Sequence, residues 1–469
     1  MPRALGIRVE GLSLRFLPYP FREVLRFGRE SLEGCECARA RVLVEGADGE
    51  LAEGWGEVPL GATWAWPSGL DVADRLDALR GFCVNLAEAW SSFDLAGHAL
   101  VIGHAFLRDV LPARWAALNA ERRRLGAEEM PWLAALLCAA PFDLAIHDAY
   151  GKAMGRPSFS TYGPPYLDHD LAWFYGEAPS SSFAGRYPRD FLVAPPDELE
   201  VWHLVGGADD LDSPESPDPS SFPANSYPTT LRGWIRRDGI SALKVKLRGL
   251  DSARDAERLA AVGRMCLEEG VRRIGIDFNG TVGDPLYVLE LLEKVRKDEP
   301  ECARRLVYVE QPFSASGALG LDVRALGSRL PLLMDESAVG WESVARGQTL
   351  GWTGVALKTC KTLTGALLSL CRAREAGMAI MVQDLTNPML ALVPHALLGA
   401  HAPSLGGIEA NAAQYCPEAS LPEAGVHPGL FGRRSGRLSV ASIRGDGLGY
   451  GEAIRARALP KPVFEEGAA

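Results

Sequence analysis

Lys246, Asp277, Glu310, Asp335 and Lys361 each fall near the end of a short apolar run: LKVKL (243–247), IGIDFNG (274–280), YVEQP (308–312), LMDES (333–337) and VALKTCK (355–361). The intervals between them are 31, 33, 25 and 26 residues, close to one strand plus one helix. Three carboxylates brought together in a cavity repel one another unless a cation joins them, and hard oxygen donors without Cys or His suit Mg²⁺ or Mn²⁺. Asp277, Glu310 and Asp335 are therefore the expected ligands, with Glu336 taking the third place if the strand register slips by one. Lys244 and Lys246 on one side and Lys361 on the other would flank a molecule held there. A lysine near a cation and partly desolvated serves as general base or, protonated, as general acid. The chemistry this spacing favours is removal of a proton α to a carboxylate, with the charge of the resulting enediolate stabilised by metal and lysine.

Such residues meet only if every strand delivers its C-terminal end to one mouth, as in a (β/α)8 barrel. From about residue 200 the sequence carries eight candidate strands, near 201–206, 242–247, 273–277, 306–310, 331–335, 354–358, 378–383 and 405–409. Amphipathic helices lie between them, with Asp251 or Ser252 and Gly270 bounding one and Asp284-Pro285 opening the next. Residues 5–60 instead alternate as antiparallel strands turning at Ala47-Asp48-Gly49, and 71–155 become helical, with PWLAALLCAAPFDLAIHDAYGKAMG reading as a buried helix. The expected architecture is an α/β, TIM-like barrel over 158–429 behind an α+β capping domain over 1–157, completed by 430–469. Two stretches interrupt it. One is 158–200, rich in Ser, Pro and aromatics; the other, 207–228, is rich in Asp, Ser and Pro and follows the first barrel strand, where it would hang over the mouth as a lid or form a surface loop.

A chain of 469 residues with net charge −11 and pI ≈ 5.4 argues against nucleic acid or an anionic membrane as partner, though not against an anionic substrate. Nine cysteines without a CxxC pair fit a reduced, cytoplasmic protein, and Cys35 and Cys37 match alternate residues of a strand. The apolar run at 132–140 meets Pro141 and is too short to span a bilayer. No P-loop, GxGxxG opening a helix or GxSxG elbow is present. His147 and His395 read as structural, and Trp55, Trp64 and Trp66 as packing rather than a stacking platform. Any one acidic strand end can merely cap a helix; five in order are harder to explain that way.

These residues, together with GWGEVP (54–59) and FDLAIHDAYGKAMGRP (142–157), resemble the enolase superfamily and, within it, the muconate lactonizing enzyme-like group. The resemblance implies a magnesium enzyme, an isomerase or lyase, with Lys246 and Lys361 as acid/base residues and Lys244 assisting the substrate carboxylate. Asp277, Glu310 and Asp335 would be the metal ligands, with Asn279 and Gln311 beside them. The mandelate racemase-like group's His–Asp pair has no counterpart: the seventh strand, AIMVQDLTNP, offers Asp384 without a His. Glu409-Ala410-Asn411 replaces the DxD of dipeptide epimerases at the eighth strand, and Tyr19 of LPYPF (17–21) occupies the specificity-loop region. Racemisation, epimerisation or cycloisomerisation of a small carboxylate by a homo-oligomer is expected. A syn-dehydratase of the o-succinylbenzoate synthase type, a Schiff-base barrel aldolase and a non-catalytic barrel are the alternatives.

Overall fold

The computed structural model describes residues 6–27, 30–213 and 227–467. Eight parallel strands form a closed barrel in chain order: β4 (Glu198–Val205), β5 (Ala242–Lys246), β6 (Arg273–Asp277), β7 (Leu306–Glu310), β8 (Leu332–Met334), β9 (Gly354–Leu357), β10 (Ala379–Val382) and β11 (Ile408–Glu409), with β11 pairing back onto β4. All eight regions read as strands in the sequence are strands. Their Val, Ile and Leu content suits strands buried on both faces, and the helix punctuation operates as written. Asp251 caps its helix by accepting from the backbone N–H groups of Ala253 and Arg254, Gly270 ends that helix at φ 75°, and Asp284 with Pro285 opens the next. Below the mouth the lumen is plugged by Trp202, Ala242, Tyr308, Leu333 and Met381. Gly275 makes room for this layer, since a Cβ there would stand 2.2 Å from Tyr308 Cζ. The polar groups above therefore rest on an apolar floor.

In front of the barrel, β1 (Ile7–Phe27), β2 (Glu30–Gly46) and β3 (Leu51–Pro59) make an antiparallel sheet, joined at its β1 edge by β13 (Phe464–Gly467). The helix Trp132–Ala153 packs on this sheet so closely that a Cβ on Gly54 or Gly56 would come within 2.0 Å of the Ala145 or Pro141 carbonyl. The GWGEVP glycines are thus a requirement of strand-on-helix approach. Asp148 fastens the same junction, accepting from Trp55 N at 2.9 Å and Leu448 N at 2.7 Å.

Three details depart from the sequence reading. Pro141 does not break the apolar run: the helix continues through it for 22 residues, and it is the one helix among the described residues long and apolar enough to cross a membrane. Its apolar window is 94% buried as the core of the cap. Segment 430–469 divides between the two layers, because β12 (Arg437–Ser439) pairs antiparallel with barrel strand β4 while β13 joins the cap. The 158–200 stretch is an ordered strap of short helices that ends in β4. It is pinned along the barrel helix Leu363–Glu375 by Arg186–Glu375, Arg372–Glu177 and a bond from the Tyr175 hydroxyl to the Leu368 carbonyl. Of the 207–228 stretch, residues 214–226 lie outside the described residues.

Candidate functional site

Register places the first group of polar residues. Lys246 pairs with Asp277 and Asp277 with Glu310 at the ends of β5, β6 and β7, so three chemistry-bearing side chains stand side by side. Lys244, two residues back on the same face of β5, sits one layer deeper. Asp335 follows the last residue of β8, Lys358 follows that of β9, Gln383 and Asp384 follow β10, and Glu409 ends β11. All are almost fully buried.

They form one network. Lys244 Nζ donates to Glu310 Oε1 at 2.7 Å, Gln383 Oε1 at 2.9 Å and Glu409 Oε2 at 3.1 Å, and lies 3.1 Å from Asp277 Oδ2. Lys246 Nζ donates to the same Asp277 oxygen at 2.5 Å, and Gln383 Nε2 donates to Glu310 Oε2. Burial alone would raise Asp277, but Lys246 and Lys244 outweigh it and hold its carboxyl below the usual range. Glu310 goes the other way, raised by burial and by neighbouring Asp277 beyond what Lys244 offsets. Burial would lower Lys244 and Lys358. Glu310, Glu409 and Asp277 more than reverse this for the first, as Asp335 does for the second, so both amines are held above their ordinary values.

The lysine of the sixth strand that faces the cavity is Lys358. A cavity of about 550 Å³ opens between barrel and cap, and Lys244, Lys246, Lys358, Asp384, Glu409 and Asn411 line it together with Phe21, Leu25 and Trp64 of the cap. Lys358 Nζ is 2.9 Å from Asp335 Oδ2 and 4.6 Å from the centre of the Trp64 ring. Lys361, expected from the sequence to face Lys246, does not line this cavity. It lies in a tight turn past the strand, with Nζ donating to the Asp335 carbonyl at 2.5 Å and to Oδ1 at 3.0 Å. Two lysines three residues apart cannot share one strand-end position, and the chain leaves the strand at Leu357.

The remaining expectations divide similarly. Asn279 sits beside the group, its N–H bonding Asp277 Oδ1 at 2.8 Å and its amide bonding Glu336 Oε1 at 3.0 Å. Glu336 lies next to Asp335 and faces Asn279. Gln311 does not touch the carboxylate group with its side chain; its Oε1 accepts from the N–H of Asp335 and of Ser337 and so shapes the turn after β8. Asp384 and Glu409 are linked by Asn411, whose Nδ2 donates to Asp384 Oδ1 at 3.0 Å and Glu409 Oε1 at 2.6 Å. Tyr19 is buried away from the cavity among Leu17, Cys37, Met389 and Cys416, and Phe21 of the same LPYPF segment lines the cavity instead. His395 bonds the Glu409 carbonyl, and His147 lies between Tyr162 and Thr364, both as supports. Trp64 and Phe21 were missed as cavity walls because only tertiary packing brings the cap over the barrel.

Among the described residues, no three or more His, Cys, Asp or Glu side chains are spaced to share one ion; the Lys244 ammonium stands between Asp277 and Glu310. The residue types nonetheless fit a hard divalent cation. Glu336 Oε2 is buried without a hydrogen-bond partner, Asp335 Oδ2 meets the Lys358 ammonium, and Glu310 is raised first by burial and then by neighbouring Asp277.

Residues 227–454 match the family model described as enolase C-terminal domain-like. The whole chain is similar in fold to solved structures. One is N-succinyl Arg/Lys racemase from Bacillus cereus, at 14% identity and TM-score 0.59, covering 98% of this chain and 100% of that one. Another is 2-chloromuconate cycloisomerase from Rhodococcus opacus, at 15% and 0.56, covering 94% and 96%. A third is an enolase superfamily member from Roseovarius nubinhibens complexed with magnesium, at 17% and 0.59, covering 98% and 100%. No curated protein matches the chain.

Proposed function

We propose, from the premise that this chain belongs to the enolase superfamily in its muconate lactonizing enzyme-like group, that it is an isomerase or lyase removing a proton α to the carboxylate of a small substrate. The observation that carries this reading is the pair Lys246 and Lys358, set at the ends of β5 and β9 and lining one cavity around buried carboxylates. Either amine can take a proton as the free base or return one as ammonium. The attraction of Asp335 and the Trp64 ring hold the Lys358 head at a defined place, and Lys246 is fixed by Asp277. Lys244, deeper and in contact with four oxygens, is the positive group that would face the substrate carboxylate. Asp277, Glu310 and Asp335 would hold Mg²⁺, which when bound supplies positive charge that polarises the substrate carboxylate and makes the α-proton more acidic.

With a lysine on each side, racemisation or epimerisation is the direct outcome; a leaving group or alkene at the β-carbon diverts the same carbanion to dehydration or cycloisomerisation. A Schiff-base mechanism would instead bond one lysine covalently to a carbonyl substrate and need no metal, so a borohydride-trapped adduct or activity that survives EDTA would favour it. The test is incubation of a library of carboxylates in D₂O with Mg²⁺. Mass gain at the α-carbon, lost from one stereochemical face in Lys246→Ala and from the other in Lys358→Ala, supports the reading; exchange indifferent to both substitutions rejects it.

A further inference from the structure

The lining of the catalytic cavity is divided by charge. Every charged side chain in it, Lys244, Lys246, Lys358, Asp384 and Glu409, stands at or just past the end of a barrel strand. Each already has a partner there: Lys244 meets Glu310 and Glu409, Lys246 meets Asp277, Lys358 meets Asp335, and Asp384 accepts from the backbone N–H and the amide of Asn411. The rest of the lining is uncharged, chiefly Phe21, Leu25, Leu32 and Trp64 of the cap with Leu204 and Leu385 of the barrel. Cys35 belongs to it too, and burial pushes its thiol up to about 11, so it carries no charge.

This apolar part is built as a continuous wall. Leu25 and Leu32 are cross-strand partners in the β1–β2 hairpin, and the buried cluster of Leu25, Leu204 and Tyr415 has Phe21 and Leu32 packed against it. The hairpin's own charges go elsewhere: Arg22 pairs with Glu23, Glu36 with Arg80, and Arg26 lines a different cavity beside Asp209. Phe21, Leu32 and Leu385 are only half-buried, which leaves apolar surface in the cavity for a ligand to cover. A charge brought against this wall would give up water and find no counter-ion, whereas methylenes or a ring would gain by leaving water.

We infer that the substrate is a monocarboxylate whose tail, beyond the reacting carbon, is uncharged and predominantly apolar. This rests on the function proposed above for the position of the carboxylate head, at the Lys244 end, and adds what lies at the other end. Dicarboxylates and carboxylates with an ammonium at the far end are excluded, because the cap offers neither a cation nor an anion to receive the second charge.

The test is calorimetric titration of the full-length protein, in the presence of Mg²⁺, with octanoate, 8-aminooctanoate and octanedioate, which share a head and differ in the end group. Octanoate should bind at least about tenfold tighter than either of the others. Acetate, too short to reach the cap, reports the head alone. Leu32→Lys, at a half-buried position, should weaken octanoate several-fold and tighten octanedioate several-fold, with acetate binding unchanged as the sign that the site is intact. Phe21→Ala should weaken octanoate several-fold and leave acetate alone. Comparable or tighter binding of either doubly charged probe, no binding of octanoate, or affinities unmoved by both substitutions would each overturn the inference. Exchange of α-protons in D₂O is read separately: exchange without the tail preference rejects only the tail assignment, and the tail preference without exchange by any carboxylate rejects the activity while upholding the tail assignment for the ligand.

Discussion

The cavity mouth has two walls built on different principles. On the β5–β7 wall, Lys246, Asp277 and Glu310 are the last residues of their strands and pair directly across the sheet. On the β9–β11 wall, Lys358, Gln383 and Asp384 come just after their strands, in turns. Non-glycine residues in the sparsely populated left-handed region follow the strands on both walls, Asn279 at φ 45° and Gln311 at φ 32° on the first and Thr362 at φ 71° and Thr386 at φ 57° on the second. The first wall is placed by hydrogen-bond register and the second by turn geometry. The electrostatics differ as well: Asp277 faces two ammonium groups and is lowered, whereas Asp384 is raised to about 7 by burial and by Glu409. Glu310 on the first wall is raised as well, by burial and by Asp277, so each wall also holds one carboxyl pushed up by its surroundings.

The sharpest way to break this comparison is to exchange its lysines. Lys246→Ala and Lys358→Ala, one from each wall, should each lower turnover by about a thousandfold, the usual reach of a positioned acid or base. Lys361→Ala should cost only about tenfold, because that amine acts by holding Asp335. Steady-state kinetics on a substrate found by D₂O exchange decides it. A larger loss in Lys361→Ala than in Lys358→Ala would restore the assignment read from the sequence.

The barrel, its eight strands and the Asp277, Glu310 and Asp335 positions were legible because period, spacing and strand-end chemistry are local and repeated. The choice between Lys358 and Lys361 was not. LKTCKT offers two lysines, and which one remains at strand level depends on where the chain turns out of β9 into its tight turn. Trp64 beneath Lys358 was equally hidden, since its neighbour belongs to another domain nearly three hundred residues away. The cap glycines, by contrast, were visible as a motif, although their reason, the approach of Trp132–Ala153, appears only in three dimensions.

Chelation tests the three carboxylates Asp277, Glu310 and Asp335. Stripping divalent cations with EDTA should reduce α-proton exchange by more than about a hundredfold, and Mg²⁺ or Mn²⁺ should restore it. Isotope exchange before and after metal addition measures this, and full activity in EDTA would count against Asp277, Glu310 and Asp335 as ligands.

The raised carboxyl of the second wall makes a prediction about stability. Asp384 has a folded pKa of about 7 against an unfolded value near 3.9. The native state therefore binds the extra proton between those values, and stability falls as pH rises through that window. In Asp384→Asn this contribution is absent. Urea unfolding of the metal-free protein at pH 5 and pH 7 should show the wild type losing stability relative to the variant by about 1.4 kcal/mol per pH unit. A constant difference between the two proteins would mean that Asp384 is ionised throughout.

The smallest effects discriminate within the cap, where one segment contributes both a cavity wall and a core residue. Tyr19 is 4% exposed and its hydroxyl reaches the Thr386 carbonyl only at 3.5 Å, a bond at the limit of useful geometry. Tyr19→Phe should change stability by under about 0.5 kcal/mol and leave KM unaltered. Phe21 lines the catalytic cavity, and Phe21→Ala removes apolar surface from the bound substrate. KM should rise about tenfold for a substrate whose tail reaches that wall, with kcat less affected because the ring stands apart from Lys246 and Lys358 in the network of bonds. A KM effect at Tyr19 and none at Phe21 would place the specificity contact where the sequence first put it. The cap strand would then have to turn its other face to the substrate when one binds.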